Sequence, residues 1–200
     1  MGAETVKENL QKAAAYFDQQ KTGYKTWGDV AVLQVAQRIS DSEFLLIDTD
    51  TNTNTGSPHH ISTHSFSENF LGRIFSTRKR INTILVTRQE YASQLKEEVP
   101  AILDDQAQLL GVSIRLAKNE SDIVKALKGR FAANISDGRS ICVGSSIEDA
   151  YVAAQLLEKT AKTWVEAKHI GGAKAINKIE AWFMQQYYLF KYSKEAVKNR

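Results

Sequence analysis

One run, residues 140–172, limits what this chain can fold into more than any other. Ser140-Ile141-Cys142-Val143 is apolar and of strand length, Gly144 ends it, and a long amphipathic stretch follows at once. Ser145 and Ser146 each have an acid three residues on, Glu148 and Asp149. In that pattern a hydroxyl and a carboxylate satisfy the free N–H groups of a helix start. Ile147, Ala150, Ala154, Leu157, Ala161 and Trp164 then return on one stripe, and Gly171-Gly172 supplies the stop. A helix this long with a single apolar stripe has to bury that stripe against other elements, so the segment predicts a layered fold.

The rest of the chain alternates in the same manner. Thr5-x-x-Glu8 with Val6, Leu10, Ala13 and Phe17 predicts a helix over residues 4–19. Residues 29–36 and 43–48 are rich in Val, Leu, Ile and Phe and are separated by a polar turn at Ser40-Asp41-Ser42, which predicts an antiparallel pair. Residues 50–60 are Thr, Asn, Gly and Pro with almost nothing apolar, so they form a loop. Beyond it come a helix over 66–75, a buried strand over 83–87, and helices over 90–98, ended by Pro100, and 102–110, ended by Gly111. A strand over 113–116, a helix over 122–127 capped from Asn119, and short strands at 131–134 and 140–143 complete the pattern before the long helix. A last helix, 175–192, carries Trp182, Phe183, Tyr187, Tyr188, Phe190 and Tyr192, more aromatic surface than one stripe hides within a monomer. No repeat or linker divides the 200 residues, so they form one α/β domain with the sheet covered on both faces.

Charge excludes some functions. The net charge of +3 is mild and interleaved, which argues against nucleic acid. The basic run Arg78-Lys79-Arg80 beside Arg73 suits a solvated helix end, with an anion or partner contact as the alternative. Without a signal-peptide core or an apolar span, the expectation is a cytoplasmic protein that does not enter a membrane. Cys142, the one cysteine, sits in an apolar run and is expected to be a buried small hydrophobe. There is no G-x-x-x-x-G-K, strand-linked G-x-G-x-x-G, G-x-S-x-G or C-x-x-C. Of the four histidines, His60 and His64 are four apart, but the polar surroundings suggest a loop; a loop metal site on His59, His60 and His64 is the alternative.

The order of segments resembles the class II aldolase/adducin family, which includes fuculose-phosphate aldolases. The resemblance rests on residues 102–111, on Val143-Gly144-Ser145-Ser146-Ile147-Glu148-Asp149-Ala150-Tyr151, and on Gly171-Gly172-Ala173-Lys174-Ala175-Ile176, in the family's order and spacing over about residues 6–177. It implies a central mixed, mostly antiparallel sheet, a homo-oligomer with a tetramer favoured, and a pocket at strand ends. It also implies zinc, held by an H-x-H pair and a third histidine, polarising a hydroxy-ketone oxygen.

This sequence departs from that pattern where the chemistry is done. Matching residues 84–92 to V-V-H-x-H-x-x-x-A puts Val86 and Arg88 on two ligands, and the third falls at Gly138. The phosphate turn [ST]-x-G-N becomes Thr26-Trp27-Gly28-Asp29, an amide replaced by a carboxylate that repels phosphate. The acid of S-S-E aligns at Ser67, one residue from Glu68. Two readings follow. In the first the domain keeps fold and oligomer as a binding or structural protein without zinc or another cofactor. In the second a remodelled aldolase or epimerase-like enzyme uses Arg88 as fixed charge with Glu68 or Asp29 moving protons. Either way, a small anionic or carbohydrate-like ligand would sit near Thr26, Gly28, Asp29, Ser67, Glu68, Arg88 and Arg139.

Overall fold

The computed structural model describes residues 30–48 and 60–198. The helix expected over 4–19 lies outside them, as do Thr26, Gly28, Asp29 and His59. Eight strands form one sheet in the order β3-β2-β1-β4-β8-β7-β6-β5. They are β1 (Ala31–Arg38), β2 (Glu43–Asp48), β3 (His60–Ser65), β4 (Thr83–Arg88), β5 (Val99–Pro100), β6 (Ser113–Ala117), β7 (Ala132–Ile135) and β8 (Ser140–Gly144). Every neighbouring pair is antiparallel except β6 and β7. The helices are α1 (Phe70–Thr77), α2 (Ile123–Ala126), α3 (Ile147–Lys168) and α4 (Lys178–Lys198).

The alternation of β4 explains the two layers. Leu85 points to one face, where it meets Cys142 of β8 and Ala150, Ala154, Leu157 and Ala161 of α3. Ile84 and Val86 point to the other, joining Phe70, Leu71, Ile74 and Phe75 of α1 with Ile123 and Ala126 of α2. Because both faces are covered, residues 83–87 are all buried, which is why that strand is a continuous apolar run broken only by threonine. The helix α3 starts where the serines predicted: Ser146 Oγ accepts the Asp149 N–H at 3.2 Å. It ends at Lys168, and Gly171 and Gly172 follow at φ 107° and 95°, a region that favours glycine.

Four local expectations changed. Residues 60–65, left between a loop and a helix, are the edge strand β3, paired in register with the apolar β2. The following helix begins only at Phe70, because Asn69 Oδ1 caps it by accepting the Leu71 and Gly72 N–H groups. The helix expected over 90–98 shrinks to a 3-10 turn, Ala92–Gln94, since Glu158 of α3 takes the N–H groups of Tyr91 and Ala92 and Val99 enters β5. Likewise the helix expected over 102–110 is a π-helical turn, Gln106–Leu110. Asn119 caps the 3-10 turn Glu120–Asp122 that leads into α2, accepting the Ser121 N–H, rather than the helix itself.

The last helix has two unlike sides. Ala181 and Gln185 are buried, and Ala181 packs on Ala101 and Ala107. Ile179, Trp182, Phe183 and Tyr187 stand on the other side, 67%, 49%, 61% and 70% exposed. Among the described residues no helix is long and apolar enough to cross a membrane.

Candidate functional site

The strand ends that carry Arg88, Asn134 and Ser140 meet at one end of the sheet, because Ala31 pairs with Arg88, Thr87 with Ser140 and Asn134 with Ser140. A buried polar frame fixes them. Thr87 Oγ1 donates to Gln89 Oε1 at 3.1 Å, and Gln89 Nε2 donates to the Ala154 carbonyl of α3 at 2.8 Å. Asn134 Nδ2 donates to the Ala92 carbonyl at 3.0 Å, while Ser140 Oγ donates to Asn134 Oδ1 at 3.0 Å. Fully buried Glu158 accepts the Tyr91 N–H at 2.8 Å and the Ala92 N–H at 2.9 Å. Burial pushes the Glu158 carboxyl above its ordinary range, against the pull of those two N–H groups. None of these five side chains stood out in the sequence as functional, since none belongs to a motif and most of their partners are distant in the chain.

On this frame Arg88 and Gly138, two of the three expected ligand positions, lie close to one another. Val86 and Arg88, two apart in β4, share a face, and a methyl built on Gly138 would lie 3.8 Å from Arg88 Nη1 and 3.4 Å from Ser93 Cβ. Arg139 follows in the β7–β8 turn. It makes a two-point contact with Asp137 Oδ2 from Nε at 2.9 Å and Nη2 at 2.6 Å, and Nη2 also reaches Glu120 Oε1 at 2.7 Å. The Arg139 guanidinium holds the Asp137 carboxyl below its usual range, helped by the Arg139 N–H and the charge of Arg88. Arg139 is thereby committed to two carboxylates. Arg88 is exposed and donates no hydrogen bond among the described residues, so its charge is available to an anion.

The other expected site residues are not drawn in. Arg38 of β1 pairs with Phe44, and Phe44 with His64, so Ser65, Ser67 and Glu68 follow the end of the sheet opposite to Ala31 and Arg88. Seven residues of β1 separate the two ends, about 23 Å. A pocket that combines Ser67 or Glu68 with Arg88 and Arg139 is therefore not formed. The reason is register: β3 enters the sheet beside β2 and delivers its C-terminal end to the far side. Glu68 instead binds His64, with Oε2 2.7 Å from Nδ1. His60 and His64 lie four apart in the strand β3, a spacing of about 13 Å along the backbone, rather than one turn apart on a helix face.

No protein-family model matches the chain, and no curated protein matches it by sequence. Solved structures do. An L-fuculose 1-phosphate aldolase superposes with a TM-score of 0.72 at 16% identity, covering 94% of this chain and 98% of its own. The fold is that of the class II aldolases. An L-fuculose 1-phosphate aldolase from Glaciozyma antarctica PI12 gives a TM-score of 0.62 at 14% identity, over 88% of this chain and 78% of its own. An aldolase II superfamily protein from Pseudomonas syringae gives 0.61 at 12% identity, over 88% and 81%. The mixed, mostly antiparallel sheet between helices agrees with that class.

The residues that the sequence resemblance matches to zinc ligands do not fit that ion. Val86 has no donor atom and is 1% exposed inside the apolar layer with Ala36, Ile84 and Ile141. Gly138 offers no side chain, and at φ 90° a histidine there would be strained. Arg88 is a fixed cation. Among the described residues no group of three His, Cys, Asp or Glu side chains could hold a metal.

Proposed function

We propose that this chain uses the class II aldolase fold as a self-associating binding domain, taking a small anionic or carbohydrate-like ligand at the Arg88 end and performing no metal-dependent aldol cleavage. The observation that carries this reading is the donor set at Val86, Arg88 and Gly138, in which a core valine, a cation and a bare backbone stand at the three matched positions. A guanidinium with no hydrogen bond to the described residues, set beside a glycine, can give a planar two-point contact to a carboxylate or phosphate. Self-association is supported by Ile179, Trp182, Phe183 and Tyr187 on the outer side of α4, an apolar strip rare on a monomer's surface. A second copy suits it, because a strip on a single helix can meet its own equivalent across a two-fold axis.

The alternative, an enzyme in which Arg88 replaces the metal, is favoured by the same free charge, but the structure supplies no Glu68 beside it. One preparation separates the readings. After loading with zinc and dialysis, metal analysis is expected to find far less than one ion per chain, and sedimentation at micromolar concentration to find an oligomer that Tyr187→Glu dissociates. Stoichiometric retained zinc, or metal-dependent cleavage of a sugar phosphate, would overturn the first claim. A wild-type monomer would overturn the second.

A further inference from the structure

The edge strand β3 holds an arrangement unrelated to the Arg88 end. Ser62 and His64 are two apart in a strand and so share a face. Ser62 Oγ lies 2.7 Å from His64 Nε2, and His64 Nδ1 lies 2.7 Å from Glu68 Oε2. An ionised carboxylate only accepts, so Nδ1 carries the proton and donates it. In the neutral ring Nε2 is then the acceptor, and the Ser62 hydroxyl donates to it. Hydroxyl, imidazole and carboxylate thus stand in the order that withdraws a proton from a serine as it attacks a carbonyl carbon.

The order is held from several sides. Glu68 Oε1 accepts the Ser65 N–H at 2.8 Å, and the turn is fixed by the Phe66 N–H to the Ser42 carbonyl at 2.8 Å. The His64 ring stacks on fully buried Phe44, with centroids 5.5 Å apart at 26°. These contacts account for Glu68 and His64 as parts of a turn, but none of them needs the Ser62 hydroxyl. Ser62 is half-buried and the His64 side chain is 26% exposed, so solvent molecules reach both. The Phe66 N–H points toward β2 and the Ser65 N–H away from it, to Glu68. Alternation puts the Thr63 N–H, one residue after the serine, on that same outer edge, where no strand pairs among the described residues.

We propose that Ser62, His64 and Glu68 form an acyl-transfer centre for small, unhindered carboxylic esters, with Ser62 as nucleophile, His64 as general base and Glu68 as the positioning residue. Ser62 Oγ bonds to the carbonyl carbon as its proton passes to His64 Nε2. The imidazolium returns that proton to the leaving alkoxide as the ester C–O bond breaks, and the acyl group remains on Ser62. Water then repeats the cycle, releasing the acid and restoring the serine. Nothing is oxidised or reduced, and no metal takes part. Among the described residues no acyl-binding pocket lies beside the edge strand, so small, intrinsically reactive esters are the fitting substrates.

The test uses the full chain with an alkyl fluorophosphonate probe and p-nitrophenyl acetate. Intact mass and peptide mapping are expected to find one adduct, on Ser62, and ester hydrolysis faster than that of free imidazole at the same concentration. Ser62→Ala should lose the adduct and lower kcat/KM by about 100-fold or more. Glu68→Gln should keep Ser62 as the labelled residue and lower kcat about 10-fold with KM unchanged, a split that a merely structural turn would not give. Failure of the folded wild type to label, labelling at another residue, or an unchanged rate in Ser62→Ala would each overturn the proposal. The labelling arm needs no variant, and because the centre lies at the far end of the sheet, its failure leaves the reading of the Arg88 end standing.

Discussion

Replacing Glu158 by alanine tests whether the buried polar frame holds the Arg88 end of the sheet. The carboxylate is fully buried and accepts two N–H groups, at 2.8 Å from Tyr91 and 2.9 Å from Ala92. Alanine leaves the Ala92 N–H buried without a partner at about 1–3 kcal/mol, while the half-buried Tyr91 N–H regains water at little cost. The one lost methylene adds about 0.8 kcal/mol, and removing a buried charge returns part of the total, so the net loss should be about 2 kcal/mol. With a urea slope of about 2 kcal/mol/M, the unfolding midpoint should fall by about 1 M. Glutamine keeps one acceptor and should lose about half as much. The pH dependence carries a sign of its own. Because the folded carboxyl titrates above its ordinary value, the fold binds this proton more tightly than the unfolded chain does. Stability from this group is therefore full below the ordinary glutamate pKa and declines as pH rises through the elevated folded value. Glu158→Gln should remove that decline. A midpoint shift under about 0.3 M in Glu158→Ala, or equal losses for alanine and glutamine, would refute the frame as an energetic element.

Two further outcomes follow from the same packing. Cys142 is fully buried beneath α3, and burial pushes its thiol up to about 12, so an aromatic disulfide reagent at about pH 8 should react only as the protein unfolds; stoichiometric reaction of the native protein would contradict its place in the core. Gly72 lets α1 approach the turn after β3, since a Cβ there would sit 2.3 Å from the Phe66 carbonyl oxygen; Gly72→Ala should lower the urea midpoint by about 1 M, a loss of about 2 kcal/mol that outweighs its better helix propensity, and a stabilised variant would contradict the contact.

How much of this was legible in the sequence depends on how local each signal is. The long helix α3, its Ser146 cap and its stop could be read directly, because each depends on residues within a turn or two. The segment after β4 misled because its helical pattern competes with Glu158, a partner 66 residues beyond Ala92 that local propensity cannot reveal. The strand β3 was hidden for the opposite reason. His60-Ile61-Ser62-Thr63-His64-Ser65 has one apolar residue, and at a sheet edge its pairing comes from the backbone of the apolar β2. In the candidate site, the resemblance grouped Arg88, Gly138 and Glu68, and the structure sets Arg88 near Gly138 with Glu68 at the other end of the sheet. Spacing along a chain does not say which end of a sheet a turn occupies; register does.

The frame and the ligand positions also separate energetically, and this bears on what the Arg88 end can become. Among the described residues Thr87, Gln89, Asn134, Ser140 and Glu158 bond to one another, to backbone and, from Thr87, to Cys142, and none of them bonds to the side chains of Val86 or Arg88, so they hold the strand ends together whatever stands at Val86, Arg88 or Gly138. Val86 belongs to a different account. It fills the apolar layer with Ile84 and Ile141, so a histidine there would exchange core packing for a buried imidazole without a partner. A position that matches a metal ligand in sequence thus serves stability in this chain. Charge at the neighbouring Arg88, exposed and resting on the same frame, is free to vary with little effect on folding. Chemistry at this end can change by surface substitution at Arg88 alone, whereas restoring a zinc-type ligand set would have to work against the core.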